Sequence, residues 1–397
     1  MILRKLSILL LLLSSFRVFG QTWISNVSAV PGSTTAVITW NTAVPATAKV
    51  KYGLSSAYGK LSVTDSSARL SHSITLTGLT VSSTYHFRPI SKDSDAISVN
   101  GKDYTFTTTG NAVSGFRFTS WADTKSGTAV LASLSRQAKP LNSAFTIYAG
   151  DLESAGSTTT GLNSWKAALN GNVDNGTFDR SFSVRGNHDA SNSSTWQNYF
   201  NFAGVASAIG TTNYSVFTLN QTYSFDYSNA HFVGIDDVGA APLITAGQIN
   251  WLDADLAAAE ARGLTHAFIF FHGPLYCVET VHCSCTTRTC ATNSTVASII
   301  AVLNNHPIVS AIFNGHEHVL AYVHVDSTRI PSATHQWEQF VIGTAGAELY
   351  ACDLGARTDW CAAKPGFATI DVAGPTFAVN VFAQGTTTPV KTWSFTK

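Results

Sequence analysis

Five apolar runs in this chain each stop on a side chain that metals favour, and this regularity constrains the fold more than any other feature. Asp123 follows GFRFTSWA, Asp151 follows FTIYAG, and Asn187-His188-Asp189 follows SFSVRG. His272 follows AFIFF, and His316-Glu317-His318 follows AIFNG. The runs have strand length, and helical stretches such as TAVLASLSRQAK, ITAGQINWLDADLAAAEARG and TVASIIAVLNN stand among them. Strands alternating with helices predict an α/β core. Side chains at the strand ends of such a core converge on a crevice. A single strand-end aspartate is a turn cap, and a lone histidine is a satisfied structural residue. Five in order are a constellation. Carboxylate, amide oxygen and imidazole suit hard to borderline divalent ions, and a shared carboxylate suits a pair of them.

The flanking segments read differently. Residues 22–110 show short alternating runs such as TAVITW and AKVKYG, separated by Ser/Thr/Gly/Pro turns and lacking a helical period, which predicts an all-β unit. Leu79 stands six residues before Tyr85, the spacing of a tyrosine corner, and Trp40 is available for a sandwich core. Residues 115–397 form the second domain, and GFATIDVAG, FAVNVFAQG and VKTWSFTK predict strands that close its sheet. Residues 157–180 and 277–295 read as long polar insertions.

The first twenty residues have a basic start (Arg4, Lys5), an apolar run Leu6 to Leu13 and small residues near Gly20. That is the pattern of a secretory signal cut after Gly20, and the run is too short to span a bilayer. The expectation is a secreted or periplasmic protein without a membrane anchor. Residues 1–20 hold three bases and no acid, so the 24 basic residues fall by three against 24 acidic ones, a net of −3. This gives no electrostatic footprint for nucleic acid. Six cysteines in an exported chain favour disulfides, and of 15 pairings Cys352–Cys361 is the one expected. Cys277, Cys283, Cys285 and Cys290 with His282 lack the paired C-x-x-C knuckles of a zinc cluster and read as staples of a loop.

The ordered series D, GD, GNHD, H, GHEH resembles the metallophosphoesterase (calcineurin-like) superfamily. FFHGPLY around His272 and the β-sandwich in front are similar to its purple acid phosphatase-like branch, whose leading domain is fibronectin type III-like. The resemblance implies a sandwich of β-sheets flanked by helices behind that domain. It also implies a dinuclear centre of iron, zinc or manganese, with Asp151 as the bridging carboxylate. Asp123 and His318 look like ligands of the first ion, and Asn187, His272 and His316 like ligands of the second. His188 is similar to the family's non-ligand histidine that faces the scissile phosphate. The implied chemistry is that of an acid phosphatase-like, metal-dependent hydrolase. A bridging carboxylate holds the metals about 3.5–4 Å apart, and a hydroxide between them attacks the phosphorus of a small phosphate monoester. A phosphodiesterase on the same core and a binding protein with a degenerate site stay open as alternatives. The sequence carries no signature of oligomeric state.

Two departures from the pattern stand out. Many branches keep a histidine ligand where this chain has Lys125, and purple acid phosphatases keep a tyrosine ligand where it has Ser154. Calcineurin-like phosphatases often place there an aspartate that orients the catalytic histidine. The first ion is therefore expected to be weakly held. Lys125 and Glu153 are candidates for supporting roles, Lys125 as a point charge on phosphate, and Asp189 completes the GNHD stretch. His324, close behind GHEH, is the remaining histidine worth following.

Overall fold

The computed structural model describes residues 23–32, 34–80, 83–108, 115–237, 244–279, 294–352 and 358–397. The chain forms two compact units, Met1–Gly110 and Asn111–Lys397. Residues 1–20, read as the signal, and Cys283, Cys285, Cys290 and His282 lie outside the described residues.

The first unit is all β: β1 (Ile24–Pro31), β2 (Ala36–Gly53), β3 (Lys60–Leu61), β4 (Asp65–Leu76), β5 (Thr84–Lys92), β6 (Ser98–Asn100) and β7 (Tyr104–Thr107). Its 18-residue strand β2 serves two layers. The stretch from Ala36 to Asn41 pairs with β4, register shifts follow Asn41, and the stretch from Lys49 to Gly53 pairs with β5. Alternation places Ile38, Trp40 and Val50 inside with Tyr85, Phe87 and Phe106. The tyrosine corner forms: the Tyr85 hydroxyl accepts from the Thr80 amide at 3.0 Å, and Leu79 is buried beside it. His72 stacks on Trp40 and His86 pairs with Asp103, so both are structural.

The second unit contains strands β8 (Phe116–Trp121), β9 (Phe145–Ala149), β10 (Ser181–Val184), β11 (Thr212–Thr218), β12 (Thr222–Tyr227), β13 (Ala230–Gly234) and β14 (His266–Phe270). It continues with β15 (Val309–Asn314), β16 (Leu320–Val325), β17 (Trp337–Ile342), β18 (Trp360–Ala362), β19 (Gly366–Ala373), β20 (Thr376–Ala383) and β21 (Lys391–Thr396). The helices are α1 (Thr128–Ala138), α2 (Thr159–Leu169), α3 (Ser193–Tyr199), α4 (Phe202–Ile209), α5 (Ala246–Ala261) and α6 (Ser294–Asn305). One sheet runs β10-β9-β8-β19-β20-β21, the other β11-β12-β13-β14-β15-β17-β16-β18. The tail strands extend the first sheet as their sequence predicts.

Period-two alternation lets each central strand serve two cores. On one face Phe118 and Phe145 meet Phe232 of the other sheet at 5.1 and 5.0 Å between ring centroids. On the other face Tyr148 meets Trp165 of α2 at 5.2 Å. In the second sheet Phe232, Phe268 and Phe313 join the inter-sheet core. Their neighbours Val233, Ile269 and Ile312 pack instead with Leu252 and Leu256 of α5 and with Ile299 and Leu303 of α6. The result is a β-sandwich with helices outside it. Strands β8, β9 and β10 run parallel, as do β13, β14 and β15, so their C-terminal ends are gathered at one rim of each sheet.

Residues 157–180 are not the polar insertion the sequence suggests. They contain α2, which buries Leu162, Trp165, Ala168 and Leu169 on one stripe. Thr158 caps it by accepting from the Gly161 amide. Cys352 and Cys361 form a disulfide with 5.8 Å between Cα atoms, and Cys277 is also disulfide-bonded.

Candidate metal centre

Three of the singled-out side chains leave their strands by a sharp hook. Asp123, Asp151 and His316 all have left-handed φ, +62°, +55° and +69°. Such a backbone is costly away from glycine and persists only where its surroundings hold it, most often at functional sites. Neighbouring glycines are obligatory for close approach. A Cβ on Gly186 would fall 2.2 Å from Asp151 Oδ1, and one on Gly315 would fall 2.3 Å from Asp123 Oδ2. The glycines of GNHD and GHEH thus make room for carboxylates from other strands.

The strand ends bring six side chains together. Asp123, Asp151 and His272 offer ligand atoms all within 4.8 Å of one another. His272 Nε2 lies 3.4 Å from Asp151 Oδ1, and His318 Nε2 lies 3.6 Å from Asp123 Oδ1. Asn187 Oδ1 is 3.0 Å from His272 Nε2 and 3.1 Å from His316 Nδ1. Donors set at right angles on bonds of about 2.1 Å would be about 3.0 Å apart, so these separations match edges of a coordination shell. Asp123 Oδ1 and Asp151 Oδ2 are buried and accept no hydrogen bond. Buried carboxylate oxygens are normally satisfied, so two such atoms in one cluster fit a cation.

The main chain fixes the rings. The Nδ1–H of His272 donates to the Ala149 carbonyl at 2.8 Å, and that of His318 donates to the Glu348 carbonyl at 2.7 Å. Each ring then presents Nε2 to the cluster, the tautomer a ligating histidine needs. Burial favours the neutral form of His272, but the charges of Asp151 and Asp123 overcome it and raise the pKa to about 10. Burial likewise opposes ionisation of Asp151, and the His272 charge overcomes it, holding the carboxyl below the usual range. A divalent ion held by these groups would take the place of the His272 proton.

His188 is half-buried beside the cluster. Its amide donates to Asp151 Oδ1 at 2.9 Å, and its Nδ1–H donates to the carbonyl of Ser154 at 3.0 Å. The main chain at position 154 therefore orients this histidine. Asp189 accepts from the amides of Leu152 and Glu153 and from Gly186, tying the loop after β9 to the loop after β10. Burial, then the Asp151 charge, push its carboxyl up to about 7. Lys125 Nζ stands 3.8 Å from Asp151 Oδ2. Glu153 turns away: its carboxylate accepts from the amide and hydroxyl of Thr158 at the start of α2. His324 pairs with Glu338 on the adjacent strand β17.

Two supporting carboxylates, Asp237 and Asp236, have no place in the sequence reading, and a third, Glu317 of GHEH, has no role in it. Asp237, two residues past Ile235 in GIDD, accepts from the amides of His272 at 2.9 Å and Gly273 at 2.7 Å, and burial raises its pKa to about 7. Asp236 clamps Arg185, which precedes GNHD. Glu317 accepts from the amide of Val278 at 2.6 Å. The signal for the first two was available, since GIDD is a sixth apolar run ending on acids.

The profile of calcineurin-like phosphoesterases matches residues 117–320, the stretch that holds this whole cluster. The chain belongs to the calcineurin-like phosphoesterase family. Solved structures similar to this phosphoesterase include a purple acid phosphatase from yellow lupin seeds, with TM-score 0.55 over 94% of this chain and 74% of that one. PhoD aligns with TM-score 0.50 over 93% and 88%, and GAP50, the anchor in the inner membrane complex of Plasmodium, with 0.51 over 71% and 89%. All three are 12% identical to the phosphoesterase, a level that speaks for its fold alone. No curated protein matches it in sequence.

Proposed function

We propose that this phosphoesterase is an exported, metal-dependent hydrolase of phosphate monoesters, with two ions of iron, zinc or manganese. The observation that carries the reading is the cluster of Asp123, Asp151, Asn187, His272, His316 and His318, with two buried carboxylate oxygens that accept no hydrogen bond. Asp151 would be the shared ligand: its Oδ1 lies beside His272, and its Oδ2 accepts no hydrogen bond. Asp123 and His318 would hold the first ion, and Asn187, His272 and His316 the second. When bound, the ions supply Lewis acidity toward the phosphoryl oxygens and a water of lowered pKa.

The protein's own groups do the rest. His188, held through Nδ1 by Ser154, keeps Nε2 for the substrate, where it stabilises the phosphoryl charge or gives a proton to the leaving oxygen. Asp189 and Asp237 fix the loops that carry His188 and His272. The disulfide between Cys352 and Cys361 suits an oxidising location, and among the described residues no helix is long and apolar enough to cross a membrane. The test is elemental analysis of the purified protein beside a monoester and a diester of one chromophoric alcohol, with added Mn²⁺, Zn²⁺ or Fe²⁺. Faster monoester turnover supports the reading, and faster diester turnover makes the enzyme a phosphodiesterase. GAP50 shares the fold and is an anchor, so a metal-loaded sample silent on every ester would point to binding instead.

A further inference from the structure

Asp151 has two unlike faces. Oδ1 accepts from the His188 amide and lies beside His272, while Oδ2 accepts no hydrogen bond and has the Lys125 ammonium 3.8 Å away. Lys125 is largely buried, its side chain 17% exposed, and its backbone is pinned in a left-handed turn at φ +48°. The amides of Thr124 and Lys125 both donate to the Asp151 carbonyl, at 2.9 and 3.2 Å. A loop held this way cannot carry Lys125 off as a unit, so only the flexible stem can move the charge. Asp123 Oδ1, the other carboxylate oxygen of the cluster that accepts no hydrogen bond, stands 3.6 Å from His318 Nε2.

We propose that the Lys125 ammonium holds the charge position of the first ion, so that the two ions bind unequally. This rests on the dinuclear reading above. The second ion, among Asn187, His272, His316 and Asp151 Oδ1, does not have to displace Lys125 and binds tightly. The first, among Asp123, His318 and Asp151 Oδ2, must displace Lys125 and is weak and exchangeable. Like charges sharing one lone-pair face in a buried site repel strongly. Lys125 thereby sets how many ions the resting enzyme carries.

Calorimetric titration of the chelator-stripped full chain with Mn²⁺, repeated with Zn²⁺, tests this without reference to turnover. The wild type should show one tight step and a second at least about tenfold weaker, with one ion kept through dialysis. Lys125→Ala and Lys125→Gln should each tighten the weak step by about tenfold or more and leave the tight step in place. The glutamine variant retains most of the stem, so agreement between the two assigns the effect to charge rather than to a cavity. Two equal steps in the wild type, or a weak step that neither variant moves, would overturn the proposal while the dinuclear reading stands. Absence of any binding would remove both.

Discussion

At the scale of single residues, position 154 shows how function passes from side chain to backbone. No carboxylate or phenol is present there, yet His188 is oriented, because its Nδ1–H meets the Ser154 carbonyl. A main-chain acceptor is invisible to any reading of residue types. The ligand-type residues were legible, because six of them follow apolar strands directly; the atoms that aim them were not. His188→Gln should lower kcat by roughly 10²–10⁴-fold, the usual range for a positioned proton donor, with metal content unchanged by elemental analysis. Loss of bound metal in that variant would make His188 a ligand instead. The missing phenol has a spectroscopic consequence. Iron-loaded protein should lack a visible tyrosinate charge-transfer band; if one appears, Tyr350, whose ring stacks 4.6 Å from His318, becomes the residue to replace.

At the scale of elements, Glu153 and α2 exchange the roles the sequence suggests for them. Glu153 stands two residues from Asp151 and invites a place in the metal centre. Its carboxylate instead accepts from the Thr158 amide and hydroxyl, and burial raises its pKa against those two bonds. The helix itself was hidden because it opens on Thr159-Thr160-Gly161, poor helix formers, and its apolar stripe begins only at Leu162. Gly161 leaves room for the carboxylate, since a Cβ there would fall 1.4 Å from Glu153 Oε2. The carboxylate and the helix start are therefore built around each other. Glu153→Ala should destabilise the protein by about 1–2 kcal/mol, the scale of a lost cap and buried acceptor, measured by urea unfolding. Metal content should not change. A fall in bound metal without loss of stability would return Glu153 to the centre.

At the scale of the whole second unit, two sheets must stay in register for strand ends from both to meet, and His266 ties them at the start of β14. Its Nε2–H donates to the Gly374 carbonyl between β19 and β20 of the other sheet at 3.0 Å, and its Nδ1 accepts from Ser310 Oγ at 2.8 Å. Its ring meets Phe377 of β20 edge-on. Both ring nitrogens of His266 thus have partners inside the fold. Burial is the main cause that lowers its pKa, to about 4 from an ordinary 6.5. The folded state thus binds this proton less readily than the unfolded chain. The contribution is intact above pH 6.5 and is lost as pH falls toward 4, about 3 kcal/mol in all. His231 has the opposite sign. Burial opposes its protonation, but hydrogen bonds with Asp226 and Asp255 overcome that and raise its pKa. Its contribution is full below pH 6.5 and fades as pH rises through the folded value. Unfolding free energies at pH 7 and pH 5 separate the two. His266→Gln should lower stability at pH 7 and flatten the decline between pH 6.5 and 4.5, whereas His231→Gln should lower stability at both pH values, keep that slope and remove the loss that sets in as pH rises above 6.5. If His266→Gln keeps the wild-type slope, the acid sensitivity lies elsewhere than in the tie between the sheets.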